Sequence, residues 1–224
     1  AVGTSGVSGA VKVTVMNDET TSATVQFNGI SGVSSTNTIS VDGNGKKLIS
    51  SATYEAIAMN GSDYMTISNL TIQKTGSGTT QMGVRLYNNA DYNTISGCTI
   101  EFTALSSSST SSGAYVAFAA SQTSLTSTSA TNNGSYNSIK NNLLRTTNSN
   151  SPGPAFGIMD QQSSSSYYYA ANNNTFEGNI IENFYYYAIY NRYTNGEQFI
   201  NNDISRKNAS SGSTTSTTMY GMYS

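Results

Sequence analysis

The sequence predicts an all-β fold, a right-handed parallel β-helix (solenoid) of about seven coils with Ser/Thr/Asn-rich loops on one side. Three observations carry that expectation: a short repeat, the absence of any 3.6-residue apolar period, and a composition too polar for an ordinary compact core. The repeat is the strongest. Asp63-Tyr64-Met65-Thr66-Ile67-Ser68-Asn69-Leu70-Thr71-Ile72 returns as Asp91-Tyr92-Asn93-Thr94-Ile95-Ser96-Gly97-Cys98-Thr99-Ile100. It returns again from Tyr136 to Leu144, from Asn174 to Ile181 and from Gln198 to Ile204. The copies recur every 23 to 44 residues and share an apolar residue, Asn or Gly two positions later, and Ile or Leu five positions later.

Each copy is too short for a helix and rich in Ile, Thr, Tyr and Val, so it reads as strand. A spacing of five breaks strict alternation, and an Asn or Gly bend is needed to return both apolar residues to one interior. Those two residue types tolerate the left-handed backbone of such a bend. A strand–bend–strand unit cannot bury its apolar side alone, whereas coils stacked at roughly 4.8 Å can. Connections between parallel strands default to the right-handed sense. A second element, a small residue followed by an apolar one, accompanies the copies as Ala56-Ile57, Gly83-Val84, Gly157-Ile158, Ala188-Ile189 and Gly221-Met222, with Tyr115-Val116-Ala117-Phe118 as its equivalent between Ile100 and Ile139.

The elements follow in order. Val11 to Val15, Ala23 to Phe27 and Thr38 to Val41 alternate as strands and make residues 1–50 irregular N-terminal coils. Residues 51–224 form the regular coils of the same single domain, 1–224. Ser106 to Ser112, Thr146 to Pro154 and Ala209 to Thr218 are low-complexity tracts suited to surface loops. Met219 to Ser224 begins another coil without a cap, and no Met starts the chain. The expectation is a segment of a longer polypeptide, or a unit that stacks end to end with copies of itself.

The core should be a set of ladders. One runs Ile67, Ile95, Ile139, Phe176, Phe199, and another Ile72, Ile100, Leu144, Ile181, Ile204. The bend column reads Leu70, Cys98, Asn142, Asn179, Asn202, where stacked Asn amides can bond along the axis. Cys98 reads as a small apolar filler. Charges should pair between coils, Lys140 with Glu177 and Arg145 with Glu182.

Composition excludes several function classes. The 224 residues hold 10 Lys and Arg, 12 Asp and Glu, and no His or Trp, at net charge −2. That balance argues against nucleic-acid partners, and the missing His removes every His-dependent triad or relay. There is no apolar run of 18 residues, so no membrane insertion by a helix is expected. Ser, Thr and Asn supply 37, 29 and 26 residues, while Leu supplies seven.

The Tyr-x-Thr-Ile copies resemble the degenerate repeats of β-helix proteins with the pectin-lyase-like fold. From Ser31 to Ile72 the chain is similar to β-helix domains of large bacterial surface proteins of the type IX secretion kind. The residues in question are Gly32 to Ile39, Asp42-Gly43 and Met59 to Ile67. The resemblance implies a module of the cell surface or extracellular space, structural or adhesive, binding glycans or self-associating. The same fold hosts polysaccharide lyases and glycoside hydrolases, which is the alternative activity.

Candidate site residues are few. Tyr185, Tyr186, Tyr187, Tyr190 and Tyr193, with Tyr167 to Tyr169, Tyr220 and Tyr223, crowd the C-terminal half, and three consecutive strand residues cannot all face inward. Exposed Tyr suits sugar rings or another protein. The alternative reading is an aromatic stack that props up neighbouring coils. Asp63 and Asp91 occupy equivalent positions in consecutive coils, where they read first as turn-initiating Asx residues and where a calcium ion could bridge them. Asp160, Glu177 and Glu182 could converge with them as a carboxylate pair for glycoside cleavage, although no spacing selects a pair.

Overall fold

A computed structural model describes residues 6–78, 80–105, 112–123, 125, 132–148, 153–161, 173–206 and 220–223. Tyr167 to Tyr169 and most of the Ser/Thr-rich tracts lie outside these residues. The described elements are all strands, three to a coil. Coil 1 is β1 (Val11–Thr14), β2 (Glu19–Thr21) and β3 (Val25–Asn28). Coil 2 is β4 (Ile39–Asp42), β5 (Lys47–Ser50) and β6 (Glu55–Asn60), and coil 3 is β7 (Met65–Ser68), β8 (Thr71–Lys74) and β9 (Met82–Tyr87). Coil 4 is β10 (Thr94–Ser96), β11 (Thr99–Phe102) and β12 (Ala114–Phe118), and coil 5 is β13 (Ser138–Lys140), β14 (Leu143–Thr146) and β15 (Phe156–Gln161). Coil 6 is β16 (Thr175–Glu177), β17 (Ile180–Glu182) and β18 (Tyr187–Arg192), and coil 7 is β19 (Gln198–Ile200), β20 (Asp203–Ser205) and β21 (Tyr220–Tyr223).

Like strands of successive coils pair in parallel, giving three seven-stranded sheets in the orders β1-β4-β7-β10-β13-β16-β19, β2-β5-β8-β11-β14-β17-β20 and β3-β6-β9-β12-β15-β18-β21. This is the right-handed parallel β-helix of seven coils that the repeat requires. The first two coils join in the same register, with Val11 on Ile39 and Ile39 on Met65.

The ladders fall where the spacing puts them. Ile67, Ile95, Ile139, Phe176 and Phe199 are rung partners, as are Ile72, Ile100, Leu144, Ile181 and Ile204. All but Phe199 and Ile204 are fully buried, and each such side chain contributes about 1.5–3 kcal/mol of hydrophobic stabilisation. The small residue opening the third-sheet element has a steric cause. A Cβ on Gly83 would stand 2.3 Å from Ile100 Cγ2, and one on Gly157 would stand 2.5 Å from Ile181 Cγ2. Tyr115 takes this place in coil 4, fully buried, its hydroxyl donating to Asn183 O at 2.8 Å and Glu182 O at 3.1 Å.

The corner from the first sheet to the second is four residues long in coils 1 and 2 and only two in coils 3 to 7. The left-handed residues of the short corners are Asn69, Gly97, Asn141, Gly178 and Asn201, with φ from 49° to 63°. The long segments leave from the two corners that flank the third sheet, as between Phe102 and Ala114 or between Gln161 and Thr175. Both expected charge pairs differ: Lys140 and Glu177 are rung partners but form no ion pair. Arg145 and Glu182 occupy neighbouring coils, but Arg145 turns the other way and grips Glu101 Oε2 through Nη2 at 2.8 Å and Nε at 3.2 Å. Glu101 is buried and rung-paired with Arg145, so the fork meets a better-desolvated carboxylate.

Candidate functional site

Asparagine carries the polar order of the interior. Asn142 Nδ2 donates to Asn179 Oδ1 at 3.0 Å, and Asn179 Nδ2 donates to Asn202 Oδ1 at 2.9 Å. Each Oδ1 also accepts the backbone N–H one coil back, Cys98 N for Asn142 and Asn142 N for Asn179. Cys98 lies at the head of that column, its thiol pushed up to about 11 by burial, which leaves it protonated and unreactive at neutral pH.

A second buried ladder has no counterpart in the sequence reading. Asn93, Asn137 and Asn174 stand one residue before β10, β13 and β16. Asn137 Oδ1 accepts Asn93 N at 2.8 Å, and Asn174 Oδ1 accepts Asn137 N at 2.8 Å. The ladder ends on acids: Asn174 N donates to Glu197 Oε2, and Asn174 Nδ2 donates to Asp160 Oδ2 at 3.0 Å. Burial, and then the Asp160 charge, push the Glu197 carboxyl up to about 9. The offset of Asn two residues ahead of Ile95, Ile139 and Phe176 was the available signal, hidden because Met65 and Glu197 fill the column at its ends.

A buried ionic cluster was equally hidden. Glu55 Oε1 accepts Arg85 Nη2 at 3.1 Å and Gln122 Nε2 at 2.8 Å, while Lys74 Nζ donates to Ala52 O. Burial lowers Lys74 to about 8, against the pull of Glu55. Arg85 also reaches Ala119 O and Ala120 O, so the cluster pins the chain leaving β12. All three charged residues are almost fully buried; these groups hold structure.

Asp63 and Asp91 prove to be backbone caps. Asp63 Oδ1 accepts Asp91 N at 2.9 Å, and Asp91 Oδ1 accepts Ser135 N at 2.7 Å. Burial and then the Asp91 charge hold the Asp63 carboxyl above its ordinary range. Each of the two carboxylates thus has its Oδ1 engaged by a backbone N–H of the next coil. Among the described residues no three acids, Cys or His gather as a metal-ligand group. Glu177 lies on β16 and Glu182 on β17 of a different sheet.

Among the described residues, two groups of tyrosines stack along the axis. On the outside of the third sheet, Tyr187 stacks between Phe156 (5.7 Å, 9°) and Tyr220 (5.0 Å, 7°), and Tyr190 stacks on Tyr223 (5.2 Å, 7°). Tyr185 meets Tyr186 edge to face at 4.4 Å, and Tyr186 adjoins Tyr187 at 6.3 Å and 43°. Tyr193 lies past β18 with φ 61°, under the Arg192 guanidinium at 4.5 Å. Stacking along the axis covers the ring faces of Tyr187 and turns the phenol edges outward.

The other group was not singled out from the sequence. Tyr64, Tyr92 and Tyr136 stack at 4.8 Å and 4.8 Å, within 1° and 3° of parallel. Tyr92 is 44% and Tyr136 51% exposed. All three have left-handed backbones, φ 51°, 58° and 58°, at the corner leading into the first sheet. Such a backbone costs a residue with a Cβ roughly 1–2 kcal/mol, three times here. The two stacked pairs return about 0.5–1.5 kcal/mol each beyond their burial. The same column reads Asn173 (φ 61°) in coil 6 and Gly196 (φ 79°) in coil 7, residues that take this backbone at less cost.

No protein-family model, curated protein or solved structure matches this chain, so its functional reading rests on its own residues.

Proposed function

We propose that this chain is a non-catalytic structural and adhesive β-helix module of the cell surface or extracellular space, of the kind found in large bacterial surface proteins of type IX secretion, with glycans as its partners. The observation that carries this reading is how its polar and aromatic groups are used. Asn amides, Asp caps and the Tyr187 and Tyr190 rings are engaged along the axis by the next coil, which favours a stiff rod over a reaction centre. Glycans are preferred to end-to-end copies on charge. Continuing the rungs from coil 7 onto another copy's coil 1 sets Asp203 against Asp18 and Ile204 against the Glu19 that shares its column. Like charges on one rung repel.

The alternative, a polysaccharide-cleaving enzyme, has one specific foothold. Glu197, held protonated above neutral pH beside Asp160, has the character of a general acid. One experiment separates the two readings. The intact protein is applied to an array of immobilised bacterial and plant polysaccharides, and the same polysaccharides are assayed for new reducing ends and unsaturated products. Retention without turnover supports the adhesive module. Turnover that disappears in Glu197→Gln replaces it with the enzyme, and neither retention nor turnover removes the glycan partner.

A further inference from the structure

We propose that the exposed Tyr64–Tyr92–Tyr136 stack is a carbohydrate-stacking subsite, in which a pyranose ring takes the fourth place of the column, on the face of Tyr136 against which no ring of the described residues stacks. The proposal rests on the glycan reading above and moves its site away from the Tyr185–Tyr193 cluster. In coils 3 to 5 this corner carries a phenol ring on each rung, 4.8 Å apart and parallel. The next rung carries only the short amide of Asn173 and the one after it Gly196, with no side chain. The column therefore steps down by a ring at Tyr136, whose side chain is half exposed. Phe156, Tyr187 and Tyr220 form a continuous column on the third sheet, and offer no equivalent step within it.

The chemistry around the step suits a sugar. A pyranose with equatorial hydroxyls has a flat C–H face that packs on an aromatic ring, while its rim needs hydrogen-bonding partners. Asn173 is exposed immediately beside the ring, its Oδ1 lying over Gly196, where a Cβ would approach to 2.4 Å. Two residues along the chain, Ser138 and Thr175 stand as rung partners on the first sheet, both partly exposed. A ring face, an amide and two hydroxyls thus border one ring-sized place. The left-handed Tyr backbones add an independent argument, because strained conformations persist where the surrounding structure and function hold them. The equivalent corner residues of the other sheet junction are Asn and Gly throughout.

The test uses β-1,4-linked hexasaccharides of glucose, N-acetylglucosamine and xylose as probes, with affinity measured by calorimetry and contact by saturation-transfer NMR. Tyr136→Asn places in coil 5 the residue that coil 6 already carries, so the fold is kept, as circular dichroism will verify. Expected is at least a tenfold loss of affinity in Tyr136→Asn, retention within threefold in Tyr136→Phe, and no change in Tyr64→Asn at the far end of the stack. Unchanged binding in Tyr136→Asn overturns the subsite and leaves the glycan reading standing. Loss in Tyr187→Ala or Tyr190→Ala alone overturns it in favour of the other cluster. A wild-type protein that binds none of the three probes also overturns the subsite, and the polysaccharide array then decides the glycan reading separately.

Discussion

Asn179 makes four hydrogen bonds with its side chain: Nδ2 to Ile139 O at 2.8 Å and Asn202 Oδ1 at 2.9 Å, and Oδ1 from Asn142 N at 3.1 Å and Asn142 Nδ2 at 3.0 Å. Removing the amide strands several buried polar groups at once, each worth roughly 1–3 kcal/mol when unpaired. Asn179→Ala should lower stability by about 2–4 kcal/mol in urea unfolding, well beyond the cost of trimming a surface Asn. This column was legible in the sequence because Asn142, Asn179 and Asn202 recur at a fixed offset from apolar residues. Glu197 was not legible, because its character comes from Asp160, which belongs to another strand. Its carboxyl keeps a proton to about pH 9 in the fold, against an ordinary value of 4.5. Between those values the folded chain binds more protons than the unfolded one, so stability is greatest at the acid end and falls as pH rises. Thermal melts from pH 5 to pH 9 should show that decline, and Glu197→Gln should flatten it. A wild-type slope in the variant would remove Glu197 as its cause.

Strands and corners are where the repeat spoke most clearly. Five-residue spacing implied a bend, Asn or Gly at the bend implied a left-handed backbone, and φ values of 49° to 63° from Asn69 to Asn201 are that bend. The other corner resisted the same reasoning. Tyr64, Tyr92 and Tyr136 are not residues from which a left-handed backbone is inferred, and only stacking between coils makes sense of them. Gly157 argues an element-level prediction. A Cβ there would meet Ala188 O at 2.4 Å and Ile181 Cγ2 at 2.5 Å, both fixed by the adjoining coil and the core. Gly157→Ala must therefore push β15 away from β18 or from the second sheet, a form of overpacking that costs about 1–3 kcal/mol. Urea unfolding measures it. A neutral result would mean that the third sheet gives way more easily than its rung pairing implies.

Across the whole molecule, strand pairing joins each coil only to the coils above and below, and few contacts, such as Tyr115 to Asn183 O and Gln122 to Glu55, reach two coils away, so stability is close to a sum of coil and neighbour terms. The scarcity of Leu is understandable at this scale, since a narrow core asks for one or two apolar residues per strand, while Asn fills corners and the buried ladders and Ser and Thr serve the outside. The terms are unequal along the axis. In coil 1, Val13 is 47% exposed, and a cavity of about 470 Å³ is lined by Val13, Val25, Phe27, Ile39 and Leu48. Glu19 stands in the rung of Leu48, where coils 3 to 6 carry Ile72, Ile100, Leu144 and Ile181. At the other end Phe199 and Ile204 are only partly buried. The middle coils close fully, with Ile95, Ile100, Ile139 and Leu144 at 0% exposure. Native-state hydrogen exchange should then rank the amides by coil, slowest around Ile95 and Ile139 and faster toward both β3 and β19. Glu19→Leu should slow exchange in coils 1 and 2 by extending the apolar ladder one rung, while leaving coil 6 unchanged. Equal protection in all seven coils would contradict this picture, because it would require one cooperative unit where the contacts supply a chain of neighbours.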